Sequence, residues 1–391
     1  MQALLSCQPP ARPLSTLYSL LCCSFIGLSF VLSLYVFVPA STRRLPREDA
    51  RHVRARLCAV AAVSVFTTFV FFPLAFCSGI GPSYSAPSTS STLSTSNPSS
   101  PTSSYTFLEY QGLPTPSLNL LLLPSAPLPP APLLHVMLLF LGPLTLMFFN
   151  TRSLVSNGLP LKAALAHTLT SCGLPPTFDV RHWSLSKVRD LLAAPLFEEL
   201  CFRGALVPFL LRSQRYCGDP KTVIFVAPLF FGVAHVHHAL VGLSARFSEQ
   251  ASLRAYLASS SSSSSHPHPP TSRPPMVRSL TSVFLPSLVQ FSYTYLFGCY
   301  CVYGLLLAGR VSSVVLCHSF CNLMGLPDVS FWTDPYSDVR PWRKIIAAAY
   351  FVGIVAFAAA FWHIGKGHGW GEGTAIGASC VCVHGEESKL L

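Results

Sequence analysis

Two adjacent glutamates and an arginine lie inside an apolar stretch of the chain, and these residue types can support hydrolytic chemistry. Glu198, Glu199 and Arg203 occur in Ala194–Gly204, whose other residues are almost all apolar. A charged side chain at the centre of a membrane costs about 3 kcal/mol or more, so it usually serves a function. Residues four apart share a helix face, which predicts a Glu199–Arg203 pair and leaves Glu198 pointing about 100° away.

Two later apolar segments supply histidines and an asparagine. His235 ends the stretch that begins at Phe231, and His318 precedes Asn322 by four residues. A glutamate in a low-dielectric cavity can act as general base, while His235 holds the same water or passes a proton to the leaving amine. His318 and the Asn322 amide can donate hydrogen bonds to the oxyanion of a tetrahedral intermediate. These residues therefore predict hydrolysis by an activated water.

Other interpretations of the same residues stay open at this point. A catalytic zinc site could be built from Glu198, His235 and His318, although the chain lacks a His-Glu-x-x-His motif. The Glu199–Arg203 pair could be a structural link between membrane helices, and a histidine in such a helix often only hydrogen-bonds a neighbour. A transporter that relays protons through Glu198 is a further option, but the sequence shows no internal repeat.

The composition is that of an integral membrane protein. Of the 391 residues, 51% are hydrophobic and only 10% are charged, against about 25% charged in soluble domains. The net charge of +11 comes from short basic runs beside apolar segments, which favours the positive-inside rule over nucleic-acid binding. Buried free thiols are predicted for most of the 14 cysteines, among them Cys22, Cys23, Cys58, Cys299, Cys301, Cys317 and Cys321.

We predict an all-α, polytopic membrane protein with about eight transmembrane helices and a conical, cytosol-facing active-site cavity. The basic cluster between Arg43 and Arg56 follows the first apolar segment and is expected in the cytosol, with the N-terminus in the lumen. The predicted segments are Leu17–Val38, Leu57–Cys77, Leu133–Phe149, Leu191–Leu211, Val223–Leu240, Val283–Leu307, Val311–Leu326 and Ile345–Trp362.

Five regions are expected along the chain. Residues 1–77 hold two helices and the basic loop, and 78–117 are a Ser/Thr/Pro-rich disordered lumenal loop whose only asparagine, Asn97, precedes Pro98 and cannot be glycosylated. Residues 118–176 hold the third segment and a short interfacial helix at Leu159–Cys172. Residues 177–326 form the core, with a disordered insertion at 244–279, and 327–391 hold the last helix and a Gly-rich tail.

The predicted topology brings the polar motifs to one depth. Glu198 lies about 10 Å into a segment that enters from the cytosol, at 1.5 Å per residue. His235 falls on the cytosolic half of the returning segment, and His318 and Asn322 lie between the middle and the cytosolic end of theirs. The three motifs are therefore expected in one layer, in a cavity that opens toward the cytosol.

At these residues the chain resembles the type II CAAX prenyl endopeptidases, a family of glutamate-dependent intramembrane proteases. The resemblance rests on Glu198-Glu199-x-x-x-Arg203, Phe231-x-x-x-His235 and His318-x-x-x-Asn322, in order and in apolar segments. It implies removal of the C-terminal tripeptide from farnesylated or geranylgeranylated CAAX proteins at the endoplasmic reticulum membrane.

The same resemblance assigns roles to individual residues. Glu198 and His235 would activate water, His318 and Asn322 would stabilise the oxyanion, and Glu199 and Arg203 would support the site. It implies neither a metal nor a cofactor, and it implies prenylated CAAX proteins such as small GTPases as partners, together with membrane lipid. The remaining alternative within this superfamily is a non-catalytic membrane scaffold that has kept the motifs.

Overall fold

The computed structural model describes residues 13–46, 48–77, 106–113, 131–171, 180–234, 275–333, 337–367 and 376. Every secondary-structure element in these ranges is a helix, which confirms the predicted all-α class. The principal helices are α1 (Thr16–Val36), α2 (Ala50–Cys77), α3 (Phe107–Tyr110), α4 (Ala131–Leu139), α5 (Leu141–Ser156), α6 (Leu161–Ser171), α7 (residues 185–211), α8 (Pro220–Ala234), α9 (Pro275–Ala308), α10 (Val311–Met324) and α11 (Arg343–Gly367). Single turns lie at Ala40–Arg43, Val180–His182, Ser330–Trp332 and Arg340–Trp342.

Helices α1, α2 and α7 pack with their ends in register. Leu14, just before α1, exchanges two backbone hydrogen bonds of 2.8 Å with the residues that follow α7, and the Tyr18 hydroxyl donates to the carbonyl of Ala75 near the end of α2. The opposite ends meet through an ion pair of 3.5 Å between Arg189 and Glu48. The start of α1 therefore lies with the ends of α2 and α7, as the predicted topology requires.

The N-terminus of α2 is capped by a carboxylate. Asp49 accepts the backbone N–H of Arg51 at 2.9 Å, and the Arg51 guanidinium contacts the same side chain at 3.3 Å. These hydrogen bonds from Arg51 lower the pKa of Asp49 below its usual range. The helix that follows begins in the basic loop, several residues before the predicted start at Leu57, and continues through two π-helical turns to Cys77.

Part of the tract predicted to be disordered at 78–117 is ordered. Residues 106–113 form helix α3 and a turn, because Thr106 and Glu109 make a capping box and the aromatic side chains Phe107 and Tyr110 are buried in the core. Gln111 donates to the carbonyl of Thr68 at 3.1 Å. The low charge of the whole tract obscured this short apolar segment, and its other residues lie outside the described ranges.

Within the described ranges, four helices are long and apolar enough to cross a membrane, or up to five if the bent pair α4–α5 counts as one span. The four are Thr16–Val36, Ala50–Cys77, Ser287–Ala308 and Arg340–Phe361, and the pair bends by 68°. The other predicted segments correspond to α7, which carries several charged residues, and to the shorter apolar helices α8 and α10. The chain is thus a polytopic membrane protein, and the count of about eight stays a prediction.

A further boundary differs from prediction. Helix α9 starts at Pro275, inside the predicted insertion. The predicted end of the fifth segment, at Leu240, lies outside the described residues. Helix α6 falls within the predicted interfacial helix.

The cysteines follow the prediction only in part. Buried free thiols are confirmed at Cys22, Cys23, Cys299, Cys301, Cys317 and Cys321, and also occur at Cys201. The prediction for Cys58 is wrong, since this thiol lies on an outward-facing surface of α2 and is exposed. Cys77 and Cys217 are both disulfide-bonded. They lie at the end of α2 and just after α7, the end of the bundle opposite to the basic loop.

Candidate active site

The two glutamates lie on a helix whose hydrogen bonding changes on both sides of them. Helix α7 begins after Ser184, whose hydroxyl accepts the backbone N–H of Lys187. A π-helical turn at Arg189–Ala193 precedes the α-helical stretch Ala194–Glu199, and a second π turn at Leu200–Ala205 follows it. Such π turns insert an extra residue into a helix and are frequent at functional sites. Because the two π turns flank Ala194–Glu199, the directions in which the glutamate side chains point are not fixed by the orientation of the two helix ends.

Glu199 joins two basic side chains in the centre of the protein. Its Oε2 lies 3.1 Å from Arg203 Nε, and its Oε1 lies 2.7 Å from His318 Nδ1. The side chains of Glu199 and Arg203 are 0% and 1% exposed. The predicted Glu199–Arg203 pair is therefore present, and the contact from Glu199 to His318 on α10 was not anticipated.

Arg203 is held by an aromatic ring as well as by the carboxylate. Its guanidinium carbon lies 4.3 Å from the centroid of the Phe231 ring, a geometry that favours a cation–π interaction. Neither terminal nitrogen has a hydrogen-bond partner among the described residues. Gly298 of α9 passes close by, since a Cβ there would lie 3.5 Å from Arg203 Nη2 and 2.8 Å from a carbon of Pro228. Among the described residues, the positive charge of Arg203 is therefore balanced by the Glu199 carboxylate.

Glu198 faces a cavity, in contrast to its neighbour. The cavity has a volume of about 340 Å³ and is lined by residues of α1, α2, α7 and α8. The Glu198 side chain is 19% exposed, and its Oε2 lies 3.8 Å from His318 Nε2. Two atoms at this separation can both contact one water molecule at a normal hydrogen-bond distance. The sequence-based separation of the two glutamates agrees with this geometry.

His318 and Asn322 both turn toward α7. His318 is 7% exposed and packs its ring edge against Phe297, with centroids 4.9 Å apart. The Asn322 amide donates to the carbonyl of Asp190 at 2.9 Å. Asp190 lies in the first π turn of α7. The predicted shared face of His318 and Asn322 is thus present, and their contacts on α7, at Glu199 and Asp190, lie about two turns apart.

His235 lies outside the described residues, as do the other two histidines that follow it. Its neighbour Ala234, the last described residue of α8, lines the cavity with Glu198. Within the described ranges no group of three His, Cys, Asp or Glu side chains has a metal-binding arrangement. The zinc alternative requires His235, which lies outside the described residues, so it stays open.

The wall of the cavity contains charged residues that the sequence motifs did not include. Glu48 and Arg56 come from the basic loop and α2, and Arg189 and Asp190 come from the start of α7. Arg189 contacts Asp190 at 2.7 Å in addition to Glu48. The signal available in the sequence was the position of Glu48, an acidic residue within a run of arginines. The cavity therefore lies at the basic end of the bundle.

Comparison with known proteins finds a family that is similar to part of this chain. Residues 182–324 match the family model described as type II CAAX prenyl endopeptidase Rce1-like. Over these residues the chain is similar to the Rce1-like endopeptidases. All six predicted site residues fall within the matched region, whose described part includes α7, α8 and α10.

Curated proteins from several eukaryotes are also similar to this chain. A human protein named CAAX prenyl protease 2 is 33% identical over 226 residues, which cover 58% of this chain and 54% of the relative. A rat protein of the same name is 27% identical over 89% of this chain and 80% of the relative. A fission yeast protein named probable CAAX prenyl protease 2 is 30% identical over 54% and 59%. The match thus spans about half the length of the human relative. No solved structure matched the chain.

Proposed function

We propose that this protein removes the C-terminal tripeptide from prenylated CAAX proteins by hydrolysis. The observation that carries the proposal is the position of Glu198, in a cavity and 3.8 Å from His318 Nε2, beside a fully buried Glu199 that contacts the other nitrogen of the same ring. The names of the relatives, CAAX prenyl protease 2, support the same activity and substrate class. Small GTPases with a prenylated CAAX end are the expected partners.

In the proposed mechanism Glu198 is the general base. Its carboxylate takes a proton from a water molecule that attacks the scissile carbonyl carbon. His235, which follows the cavity-lining Ala234, is proposed to position this water and to pass a proton to the leaving amine. His318 Nε2 and the Asn322 amide are proposed to donate hydrogen bonds to the oxyanion, a type of stabilisation worth about 3 kcal/mol per donor.

Glu199 is proposed to position His318 rather than to contact the substrate. A histidine that donates from Nδ1 to a carboxylate keeps a fixed ring orientation, as the buried aspartate of serine protease triads does for its histidine. The short contact of 2.7 Å from His318 Nδ1 to Glu199 fits this role. A positive charge on the ring, which makes Nε2 a donor, is then balanced by the Glu199 carboxylate. Arg203 holds Glu199 from the other side.

We propose that the protein lies in the endoplasmic reticulum membrane with the cavity open to the cytosol. The positive-inside rule assigns the basic loop to the cytosol, and the cavity lies at this end because Glu48 and Arg56 line it. The two disulfide-bonded residues, Cys77 and Cys217, lie at the other end. Disulfides persist in the oxidising lumen and are rare in the cytosol. Two independent features thus support one orientation.

A single substitution tests this orientation. Pro98→Ala converts Asn97-Pro-Ser99 into an acceptor for N-glycosylation, because proline at the middle position is what blocks it. We expect the variant to gain a glycan in microsomes, seen as a mass increase that an endoglycosidase removes. An unglycosylated Pro98→Ala chain, alongside a glycosylated lumenal reporter, would reverse the proposed orientation.

The activity is tested with purified protein, a farnesylated CAAX peptide and mass detection of the released tripeptide. Glu198→Gln should lower the turnover number about 10²- to 10⁴-fold, the usual contribution of a general base. Asp219→Asn is the matched control, since it removes a carboxylate at the start of α8 while asparagine keeps the cap. Near-normal turnover in Glu198→Gln would reject Glu198 as the base.

Two further outcomes separate the alternatives. Loss of activity on strong chelation, restored by zinc, would replace the proposed mechanism with a zinc-dependent one that uses Glu198, His235 and His318. Folded wild-type protein that binds the peptide without releasing a tripeptide would favour the scaffold alternative.

A further inference from the structure

A second, larger depression lies between α1 and α2 on the side away from Glu198. Its volume is about 870 Å³, within the range of about 300–1,000 Å³ typical of small-molecule sites. We call it the hairpin groove. It is lined by Phe25, Ser29, Leu32, Ser33, Val36, Phe37 and Pro39 from α1 and the residues after it, and by Ala55, Cys58, Ala59, Ala62, Val63 and Phe66 from α2.

The lining of the hairpin groove offers almost nothing to a polar ligand. Its two serines use their hydroxyls within their own helix, since Ser29 donates to the carbonyl of Ile26 at 3.0 Å and Ser33 to that of Phe30 at 2.6 Å. The remaining polar group is the exposed thiol of Cys58, which behaves as a weakly polar side chain. An occupant of the groove must therefore be largely apolar.

The rim of the groove is basic. Residues four apart on a helix share a face, so Arg51 lies one turn from Ala55 and Arg54 one turn from Cys58, which itself is one turn from Ala62. Arg51 is 73% exposed on its side chain while it contacts Asp49 at 3.3 Å, and Arg54 is also exposed. The exposed Arg43 and Arg44 follow α1 at the same end. Positive charge thus meets the apolar stripe of α2 where the helix leaves the membrane.

We propose that the hairpin groove binds an anionic phospholipid. The acyl chains lie against the apolar stripe that includes Cys58 and Ala62, and the phosphate-containing head group contacts the guanidinium groups of Arg51 and Arg54. The site matches both parts of such a lipid, because basic residues beside a membrane surface attract the anionic head group and the apolar groove accepts the hydrocarbon chains. This inference is independent of the proposed proteolysis, since it concerns a different surface.

The prenyl chain of a substrate fits this groove less well than a lipid does. On α2 the cavity with Glu198 is lined by Arg56, Leu57 and Val60, whereas the groove is lined by other residues of the same turns. On α1 too, the residues that line the cavity are different from those that line the groove. A helix with its side chains is about 10 Å across, so the α1–α2 wall separates the groove from Glu198. The prenylated cysteine adjoins the scissile bond, which favours the Glu198 side for its lipid.

A lipid in this groove would also contact the two helices that form one wall of the cavity. Helices α1 and α2 form one wall of the cavity, and the groove lies on the outer surface of that wall. Filling the groove holds the two helices at a fixed separation near the basic loop. We therefore expect the bound lipid to stabilise the α1–α2 pair against heat, whether or not substrate is present.

The test uses the full chain reconstituted in nanodiscs of phosphatidylcholine, with or without phosphatidylserine. After mild release, native mass spectrometry counts the lipids that remain bound. The second readout is the rate at which a lipophilic maleimide alkylates Cys58, measured on the peptide that contains this residue. We expect one phosphatidylserine to be retained and Cys58 alkylation to slow several-fold when this lipid is present.

Matched variants assign the effect to the groove. Ala62→Phe fills it, and Val65→Phe places the same ring on a 55% exposed position of α2 that does not line the groove. Arg51→Gln with Arg54→Gln removes the basic rim, and Arg215→Gln with Lys221→Gln removes two exposed charges at the opposite end. Retention should fall about thirtyfold in the rim variant, the effect expected for two basic residues. It should disappear in Ala62→Phe and persist in both controls.

Several results would overturn the proposal. Equal retention of phosphatidylcholine and phosphatidylserine would show that the groove does not select an anionic head group. Retention that survives Ala62→Phe, or alkylation of Cys58 that ignores the lipid composition, would remove the groove as the site. Displacement of the lipid by a farnesylated peptide, with protection of Cys58, would assign the groove to the substrate. None of these readouts depends on proteolytic activity.

Discussion

Replacing Glu199 by glutamine removes one negative charge from the centre of the protein and changes little else in volume. In the native protein this carboxylate lies 3.1 Å from Arg203 Nε and 2.7 Å from His318 Nδ1. The variant leaves Arg203, whose side chain is 1% exposed, with a charge that no described acidic residue within ion-pair distance balances. The glutamine oxygen can still accept from His318, but its amide group then faces Arg203.

The cost follows from the burial of both partners. Removing one member of a buried ion pair destabilises a protein by about 3–5 kcal/mol, because the other charge stays buried and uncompensated. Replacing both members by well-packed groups of similar volume is often neutral or stabilising. We therefore expect Glu199→Gln to lose about 3–5 kcal/mol and the double variant with Arg203→Met to recover most of that loss. The double variant should remain inactive because His318 lacks its carboxylate partner.

A fluorogenic maleimide measures this stability directly. Cys201, Cys301 and Cys317 are buried free thiols close to the site that unfolding would expose, whereas the exposed Cys58 reacts in the folded protein and sets the baseline. Thiol exposure is recorded against temperature and denaturant in detergent for the wild type, both single variants and the double variant. Turnover of the prenylated peptide, with its pH profile, is measured on the same preparations.

Two outcomes would contradict the proposed role of Glu199. A Glu199→Gln variant as stable as the wild type would mean that Arg203 does not depend on this carboxylate. A double variant as unstable as Glu199→Gln alone would mean that the loss came from packing. Full turnover at unchanged pH dependence in the stable double variant would remove Glu199 as the residue that positions His318.

Two further substitutions test the site and the packing around it. Asn322→Ala removes the side chain that donates to the Asp190 carbonyl and is proposed to stabilise the oxyanion, so turnover should fall about 10²- to 10³-fold with little change in KM; a change confined to KM would assign Asn322 to substrate binding. Gly353→Ala places a Cβ 2.5 Å from the carbonyl oxygen of Leu138, so we expect a loss of about 1–3 kcal/mol in thermal unfolding. Glycine to alanine in a helix normally stabilises by up to about 1 kcal/mol, and such a gain here would contradict the close contact between α4 and α11.

The sequence predicted the relation between Glu198 and Glu199 because helix periodicity alone separates their directions. It also predicted that His318 would reach the same depth, because the alternation of apolar segments fixes the direction of each helix. It did not predict the contact from Glu199 to His318, since side-chain contacts between helices depend on rotation about the helix axis. The two π turns of α7 change this rotation and leave no clear mark in the sequence.

The errors elsewhere have physical causes of the same kind. Phe107 and Tyr110 are few against the many serines and prolines around them, so composition over a long window concealed a buried helix. Cys58 lies in an apolar segment, but a membrane helix is apolar on its outward face as well, so apolar sequence does not imply burial. For the same reason the hairpin groove could not be recognised before the packing of α1 against α2 was known.

The π turns on either side of Ala194–Glu199 make the direction of this segment of α7 adjustable. Each π turn corresponds to one extra residue in the helix, and one residue of regular helix corresponds to a rotation of about 100°, so these turns separate the direction of Ala194–Glu199 from that of the helix ends. The two ends of α7 are anchored separately, by Arg189 to Glu48 and by the pairing of Leu14 with the residues after Leu211. Single-residue insertions and deletions are therefore a route by which evolution can redirect a carboxylate such as that of Glu198 without rebuilding the surrounding helices.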